Sequence, residues 1–138
     1  LVDKLAFGSY NKRFGGGTEN DPSPWLTNDV DERKKYYADP FCTFKFTVSA
    51  MGDLIRLNKL TNSKKWYKEM PKDVPILLVS GENDPVGDYG KGVRQVAEGL
   101  QKSGIDAKCI IYPNARHEIL NDSTYDTVKN DIFEFLNM

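Results

Sequence analysis

The sequence predicts an α/β protein in which parallel strands are flanked by helices. Two apolar runs indicate the strands, one at residues 76–80 and one at residues 107–112. Between them, over residues 90–102, apolar residues recur at helical spacing from Val93 to Leu100, which predicts an amphipathic helix. A strand, a helix and a second strand joined by short connections form a right-handed βαβ unit, whose strands are parallel.

The first half of the chain has a different texture and predicts a helical region. Residues 1–70 mix aromatic residues, glycines and charges, with helical patterns over about residues 29–37 and 49–60. A third short helical piece is expected around Trp66. We therefore divide the chain into a helical region, residues 1–70, and a strand-and-helix region, residues 71–138.

A final helix is predicted over residues 123–136. Ser123 and Asp126 resemble a capping box, with aspartate in place of the usual glutamate. The apolar residues of this helix predict a buried face, formed by Tyr125, Val128, Ile132 and Phe135.

Composition excludes several classes of protein. Of the 138 residues, 39% are hydrophobic and 28% charged, as in ordinary globular domains. The formal net charge of -1 provides no basic excess for phosphates, so we expect no nucleic-acid partner. The longest aliphatic run, residues 76–79, is far shorter than the roughly 20 residues that span a bilayer, so we expect no stable membrane insertion. Cys42 and Cys109 lie far apart and are expected to be reduced, in keeping with an expected cytoplasmic location.

We expect neither a cofactor nor a metal. Residues 15–17 are three glycines, but they are not followed by the lysine and then serine or threonine of a phosphate-binding loop. Four side chains could in principle ligate a divalent metal: Glu82, Asp84, Asp88 and His117. They include only one histidine, so the helical pair of histidines typical of many metal sites is missing.

Two residues that could carry chemistry follow the two strands. Asp84 lies in the loop after the first strand, and His117, the only histidine, lies in the loop after the second. Neighbouring parallel strands lie about 4.8 Å apart, so these side chains can meet at one edge of the sheet. An aspartate that orients a histidine base is the second half of a Ser-His-Asp triad. Three alternatives stay open: Asp84 as a turn former before Pro85, Asp88 as the acid, and His117 as an incidental loop residue.

Two segments resemble a known family. Residues 77–86, Leu-Leu-Val-Ser-Gly-Glu-Asn-Asp-Pro-Val, resemble the acid segment of α/β-hydrolases of the lysophospholipase and monoacylglycerol lipase type, which are serine aminopeptidase S33-like. Residues 112–118, Tyr-Pro-Asn-Ala-Arg-His-Glu, resemble the histidine segment of that family. The resemblance implies that Asp84 is the triad acid and His117 the triad base.

The resemblance extends to the first half of the chain. Residues 36–42 and 44–54 resemble the helical cap of bacterial members. The implied fold is the C-terminal portion of an α/β-hydrolase, with a helical cap at residues 1–70 and the end of the core at residues 71–138. Cap aromatic residues are expected to line an acyl-sized site, namely Trp25, Phe41, Phe44 and Trp66.

The nucleophile of the family pattern is missing. No Gly-x-Ser-x-Gly occurs in the chain, and in this fold the nucleophile elbow precedes the cap. Ser49 is expected to be a helix N-cap, and the other candidates lack the setting of an elbow: Ser9, Cys42 and Ser80. Because the elbow is missing, and the chain begins with Leu1 rather than methionine, we expect it to be the C-terminal part of a longer serine hydrolase.

The implied substrate is a small-molecule acyl ester, such as a lysophospholipid or a monoacylglycerol. The chain alone is expected to be inactive, and the alternative is a non-catalytic module that binds a ligand or a protein. The first predicted strand would have an unpaired edge, so we expect a homodimer or a complex with the N-terminal part of the same protein.

Overall fold

Helices and a parallel two-stranded sheet form the part of the chain that the computed structural model describes, residues 7–137. The outermost residues of the two predicted regions, 1–6 and 138, lie outside the described residues. The elements, in chain order, are a 3-10 turn at Tyr10–Phe14, helices α1 (Val30–Ala38), α2 (Val48–Thr61) and α3 (Lys64–Glu69), strand β1 (Ile76–Gly81), helix α4 (Lys91–Lys102), strand β2 (Ala107–Tyr112), a 3-10 turn at Ile119–Asn121 and helix α5 (Tyr125–Leu136). The predicted helices and strands are confirmed, whereas the two 3-10 turns, which are too short to leave a periodic pattern, were not predicted.

The two strands pair in parallel along their whole length. Ile76 lies opposite Ala107, and Gly81 lies opposite Tyr112. Helix α4 connects the strands and contacts both of them, which confirms the predicted βαβ unit. Because the strands are parallel and in register, the loops that follow Gly81 and Tyr112 leave the sheet from the same edge.

The sheet has a buried cluster on each side. Leu100, Ile105 and Ala107 form one cluster, against which α3, α4 and strand residues pack through Trp66, Tyr67, Met70, Ile76, Leu78 and Val96. Tyr112, Ala115 and Val128 form the other, which α5 completes together with Val79, Ile110, Ile119 and Ile132. The alternation of side chains along β1 therefore places successive residues in different clusters.

Trp66 belongs to this core, and its prediction as a substrate-site residue is wrong. It packs with Tyr67 against the cluster around Leu100. Helix α4 approaches so closely here that a Cβ atom at Gly99 would lie 2.9 Å from the Tyr67 ring. The position of an aromatic residue in the helical region did not reveal which side of that region it faces.

The start of α2 differs from its prediction. The N-cap is Thr47, whose side chain accepts the backbone N–H of Ala50. Ser49 lies inside the helix, so its prediction as N-cap is wrong. Thr47 has an extended backbone conformation that ends the preceding loop, and both residues are of the capping type, so composition alone did not distinguish them.

The predicted capping box of the last helix does not form. The N-cap of α5 is Thr124, which makes no capping hydrogen bond with its side chain. Ser123 instead donates its hydroxyl to the carboxylate of Asp122, and Asp126 pairs with Lys129. The predicted buried face is confirmed at Val128, which is fully buried, but Tyr125 is exposed.

Helix α2 exposes most of its apolar residues. Met51 is buried, whereas the remaining apolar side chains of the helix lie largely in solvent: Val48, Leu54, Ile55, Leu57 and Leu60. An apolar helix face of this extent usually has a partner, because exposed apolar surface is costly.

Candidate active site

Asp84 and His117 meet at the edge of the sheet. The Nδ1 atom of His117 lies 3.1 Å from each carboxylate oxygen of Asp84. The predicted contact between these two side chains is therefore confirmed. The carboxylate is nearly buried, with 10% of the side chain exposed, whereas 37% of the histidine side chain is open to solvent. One nitrogen of the imidazole ring thus contacts the Asp84 carboxylate, while part of the histidine side chain stays open to solvent.

The loop around Asp84 holds its carboxylate in place. One carboxylate oxygen accepts the backbone N–H of Val86 at 2.8 Å, and the backbone carbonyl of Asp84 accepts the N–H of Tyr89 at 2.8 Å. Such a turn, in which the side chain bonds to the backbone two residues later, is typical of aspartate. Asp84 forms this turn and contacts His117 at the same time, so its role in the turn does not exclude a role in orienting the histidine.

Asp88, the alternative acid, does not contact the histidine ring. Its side chain is 65% exposed and lies 3.7 Å from the amino group of Lys91. Its backbone has a φ of 50°, which turns the chain towards α4. The alternative is not supported by this geometry.

A close approach of the two loops at Gly81 makes the contact possible. The N–H groups of Glu82 and Asn83 donate to the carbonyls of Tyr112 and Ala115, both at 2.9 Å. A Cβ atom at Gly81 would lie less than 3.0 Å from the carbonyl oxygens of Ala115 and Arg116. Only glycine allows the backbones to pass at this distance, because any side chain would require one of them to move.

An aromatic cleft opens beside His117. Its volume is about 800 Å³, which is within the usual range for small-molecule sites. The indole of Trp25 lies against the imidazole, with ring centroids 5.1 Å apart. Trp25, Phe41 and Phe44 line the cleft, as predicted, whereas Trp66 does not. Further lining residues are Pro22, Leu26, Tyr36, Tyr37, Cys42 and Phe46, with Lys45 and Glu118 as charged members.

Asp84 sets the protonation behaviour of His117. Its hydrogen bond raises the pKa of His117, and the negative charges of Asp84 and Glu118 act in the same direction, while burial of the ring acts against them. The folded chain therefore favours the protonated form of the ring over the neutral form more than the unfolded chain does. A base with a raised pKa holds an abstracted proton well, which suits a group that accepts a proton and returns it.

The titration of His117 can be measured directly, because the chain has one histidine and the ring gives a single set of NMR signals. We expect a pKa above the ordinary value of about 6.5. Asp84→Asn should lower it, since the carboxylate is the main cause of the increase. The stabilisation from the charged pair should be fully present below about pH 6.5 and lost as the pH rises through the raised value.

Asp88→Asn is the matched control for this titration. It removes a carboxylate from the same loop without touching the ring, so the pKa of His117 should stay unchanged. Equal titration curves for Asp84→Asn and the unaltered chain would contradict the contact.

Comparison with known protein families decides the classification. The model of the family described as serine aminopeptidase, S33, matches residues 2–124, which is most of the chain. The chain belongs to this family. No sequence among the curated proteins matches it significantly.

Solved structures show that this S33-family chain has the predicted α/β-hydrolase fold. A highly thermostable carboxyl esterase from Bacillus coagulans, in complex with glycerol, is similar with a TM-score of 0.87 and 29% identity, over 99% of this chain and 44% of the esterase. A lipase in its open form is similar with a TM-score of 0.85 and 26% identity, again over 99% of this chain and 44% of the lipase. The chain thus spans less than half of the length of these structures.

A third structure supports the fold alone. It is a soluble variant of monoglyceride lipase from Saccharomyces cerevisiae in complex with a substrate analogue, with a TM-score of 0.66 and 22% identity. The match covers 88% of this chain and 40% of the lipase.

A segment of the S33-family chain that sequence reasoning missed holds the histidine loop. The carbonyls of Trp25 and Leu26 accept the N–H groups of His117 and Glu118, at 3.4 and 2.8 Å. The hydroxyl of Thr27 donates to the carbonyl of Asn121 at 2.6 Å. Residues 25–27 therefore lie along the loop that carries His117, although some 90 residues of sequence separate them.

Two arginines hold this segment. The carbonyl of Thr27 accepts from the guanidinium groups of Arg33 at 2.6 Å and Arg116 at 3.2 Å. Arg33 is buried and forms a two-pronged ion pair with Asp21, its shortest distance being 2.8 Å. Arg116 also donates to the carbonyl of Pro24. In the sequence, Arg33 is one of several charges on a short helix, and only its tertiary contacts distinguish it from its exposed neighbours.

The other side chains that could in principle ligate a metal ion, Glu82 and Asp88, lie apart. Glu82 accepts the backbone N–H of Asn114 at 3.2 Å, and Asp88 lies near Lys91. Within residues 7–137, no three side chains of the histidine, cysteine, aspartate and glutamate types converge to hold a metal ion.

Cys42 and Cys109 are free thiols. Among the described helices, none has the length and apolar character needed to cross a membrane.

Proposed function

We propose that the chain supplies the acid and the base of a Ser-Asp-His triad, with Asp84 as the acid and His117 as the base. The whole enzyme is proposed to cleave carboxylic esters such as lysophospholipids or monoacylglycerols. The contact between Asp84 and Nδ1 of His117, beside an aromatic cleft, is the observation that carries this proposal. Membership of the S33 family and the likeness to a carboxyl esterase support the reaction type.

The geometry assigns a role to each ring nitrogen. Nδ1–H donates to the carboxylate of Asp84, so the lone pair of His117 is on Nε2. In the proposed reaction, Nε2 takes the proton of a serine hydroxyl while the serine oxygen attacks the acyl carbon. The protonated His117 then gives that proton to the departing alcohol. Water repeats the same steps on the acyl-enzyme, which releases the acid and restores the serine.

The serine is proposed to lie upstream of this chain in a longer protein. The chain has no Gly-x-Ser-x-Gly, and it spans 44% of the similar esterase. In this fold the nucleophile precedes the acid and the histidine. The chain therefore contributes the acid, the base and part of the substrate site, while the nucleophile and the oxyanion hole come from the upstream part.

The cleft favours an apolar acyl group. Its lining is mainly aromatic and aliphatic, and its charged members are Lys45 and Glu118. Trp25 lies against the imidazole, so an acyl chain that packs on the indole would place its carbonyl near the ring. Burial of such a chain contributes about 0.8 kcal/mol for each methylene group. Longer acyl chains should therefore bind more tightly until the cleft is filled.

An alkyl fluorophosphonate tests the proposed function. The reagent labels activated serines, so it should label one upstream serine in the longer protein and nothing in the isolated chain. Turnover of p-nitrophenyl esters should follow the labelling. A non-catalytic binding module would remain unlabelled at full length, and that result would disprove the triad.

The exposed apolar face of α2 and the unpaired edge of β1 suggest a partner. Within residues 7–137 each strand pairs only with the other, which leaves backbone donors and acceptors free along one edge of each. We propose that the N-terminal part of the same protein covers these surfaces, and that the isolated chain forms a homodimer instead. Sedimentation should show a concentration-dependent dimer.

Ile55→Glu is the variant for this test, because Ile55 is 68% exposed and a charge there should weaken association without disturbing the core. Asn58→Glu places the same charge on an exposed polar position of the same helix and should have a smaller effect. If the isolated chain is a compact monomer at micromolar concentration and unfolds cooperatively, the proposed homodimer is wrong.

A further inference from the structure

Asp122 is a buried carboxylate that holds backbone groups from two distant segments. It is 5% exposed and follows the 3-10 turn after His117. Its Oδ2 atom accepts the N–H of Arg116 and the N–H of Asn28, both at 3.1 Å. Its Oδ1 atom accepts the N–H and the hydroxyl of Ser123 at 2.7 and 3.1 Å. Burial acts to raise the pKa of Asp122, but these hydrogen bonds outweigh it and hold the pKa below its ordinary value.

These contacts lie on both sides of His117 along the chain. The bond to Arg116 closes a loop of backbone from Arg116 to Asp122, and His117 is the second residue of that loop. The bond to Asn28 draws in the segment whose carbonyls, at Trp25 and Leu26, accept from the histidine loop. One carboxylate oxygen thus joins the backbone N–H of Arg116, the residue before His117, to the segment that lies along the histidine loop.

We propose that Asp122 is a positioning residue for His117, which holds the histidine loop so that the imidazole meets Asp84. The proposal rests on the proposed function, because positioning matters only if His117 is the base. Asp122 does not touch the ring itself and acts through the backbone of Arg116 and through the segment at residues 25–28. Without the carboxylate, the backbone N–H groups of Arg116, Asn28 and Ser123 lose their acceptor, and the loop can move relative to Asp84.

Asp122→Asn is the test. It keeps the shape of the side chain but replaces one acceptor oxygen by a donor amide, which opposes the N–H groups it faces. The pKa of His117, read from its NMR titration, should fall towards the ordinary value. The charges that act on the ring are those of Asp84 and Glu118, so such a fall reports a change of position. In the longer protein, kcat should fall by about 100-fold while KM changes little, as expected for a misplaced base.

Asp126→Asn is the matched control. It removes the same charge from the first turn of α5, where the side chain is 83% exposed and pairs with Lys129. The pKa of His117 and kcat should remain those of the unaltered protein. An unchanged pKa of His117 in a folded Asp122→Asn variant would overturn the proposal.

Hydrogen exchange in the unaltered chain gives a second test that does not require the variant to fold. The amide hydrogens of Arg116 and Asn28 should exchange slowly, because both are bonded to a buried carboxylate. Exchange at the rate of an exposed loop would overturn the proposal. Neither the titration of His117 nor the hydrogen exchange requires catalysis. Failure of fluorophosphonate labelling would therefore refute the proposed function, whereas these two measurements would still show whether Asp122 holds the histidine loop.

Discussion

Replacing His117 by alanine in the longer protein should lower kcat by about 10⁴-fold or more. In the proposed mechanism, the change removes the group that accepts the serine proton and returns it to the leaving alcohol. The ring is partly exposed and lies outside the two buried clusters, so the fold should survive the change. Steady-state turnover of a p-nitrophenyl ester and the rate of fluorophosphonate labelling should fall together.

Two further variants sharpen this test. Asp84→Asn should also lower kcat strongly, because the amide favours the wrong tautomer of the ring. Asp88→Asn, in the same loop, should leave kcat unchanged, since Asp88 lies with Lys91 and not with the ring. Full activity in His117→Ala would show that His117 is an incidental loop residue and not the base.

Gly81→Ala should destabilise the fold by about 3 kcal/mol or more. The added Cβ would lie less than 3.0 Å from the backbone oxygens of Ala115 and Arg116, and neither can move as a flexible side chain can. Relief requires the histidine loop to separate from the end of β1, which would also part His117 from Asp84. Urea unfolding at one fixed protein concentration measures the loss, and the titration of His117 measures the separation.

Gly52→Ala is the control for this substitution. Gly52 lies inside α2, and the nearest atom to an added Cβ is the end of the Arg56 side chain at 3.8 Å. Alanine there should raise the free energy of unfolding by about 0.5–1 kcal/mol, because it reduces the freedom of the unfolded chain. An equal loss of stability in Gly81→Ala and Gly52→Ala would show that the close approach at Gly81 is not as described.

The regular elements and the contact between Asp84 and His117 could be predicted from the sequence. Apolar periodicity reports which face of a helix or strand is buried, and β1, α4 and β2 carry strong patterns of this kind. Parallel strands then bring the loops after Ile76–Gly81 and Ala107–Tyr112 to one edge. The apolar pattern of the two strands and the parallel topology were therefore sufficient to predict the contact between Asp84 and His117. The missing Gly-x-Ser-x-Gly is likewise a property of the sequence alone.

The surroundings of the pair were decided by the tertiary structure. Arg33, Asp122 and the carbonyls of residues 25–27 act through partners far away in the chain, and nothing in their local sequence distinguishes them from exposed neighbours. Trp66 had the composition of a cleft residue but packs in the core. Periodicity records burial along one element, whereas a hydrogen bond between distant loops depends on how the elements are arranged together. For that reason the pairing of Asp84 with His117 and the strands that carry them could be predicted from the sequence, whereas the groups that hold the histidine loop became visible only in the folded chain.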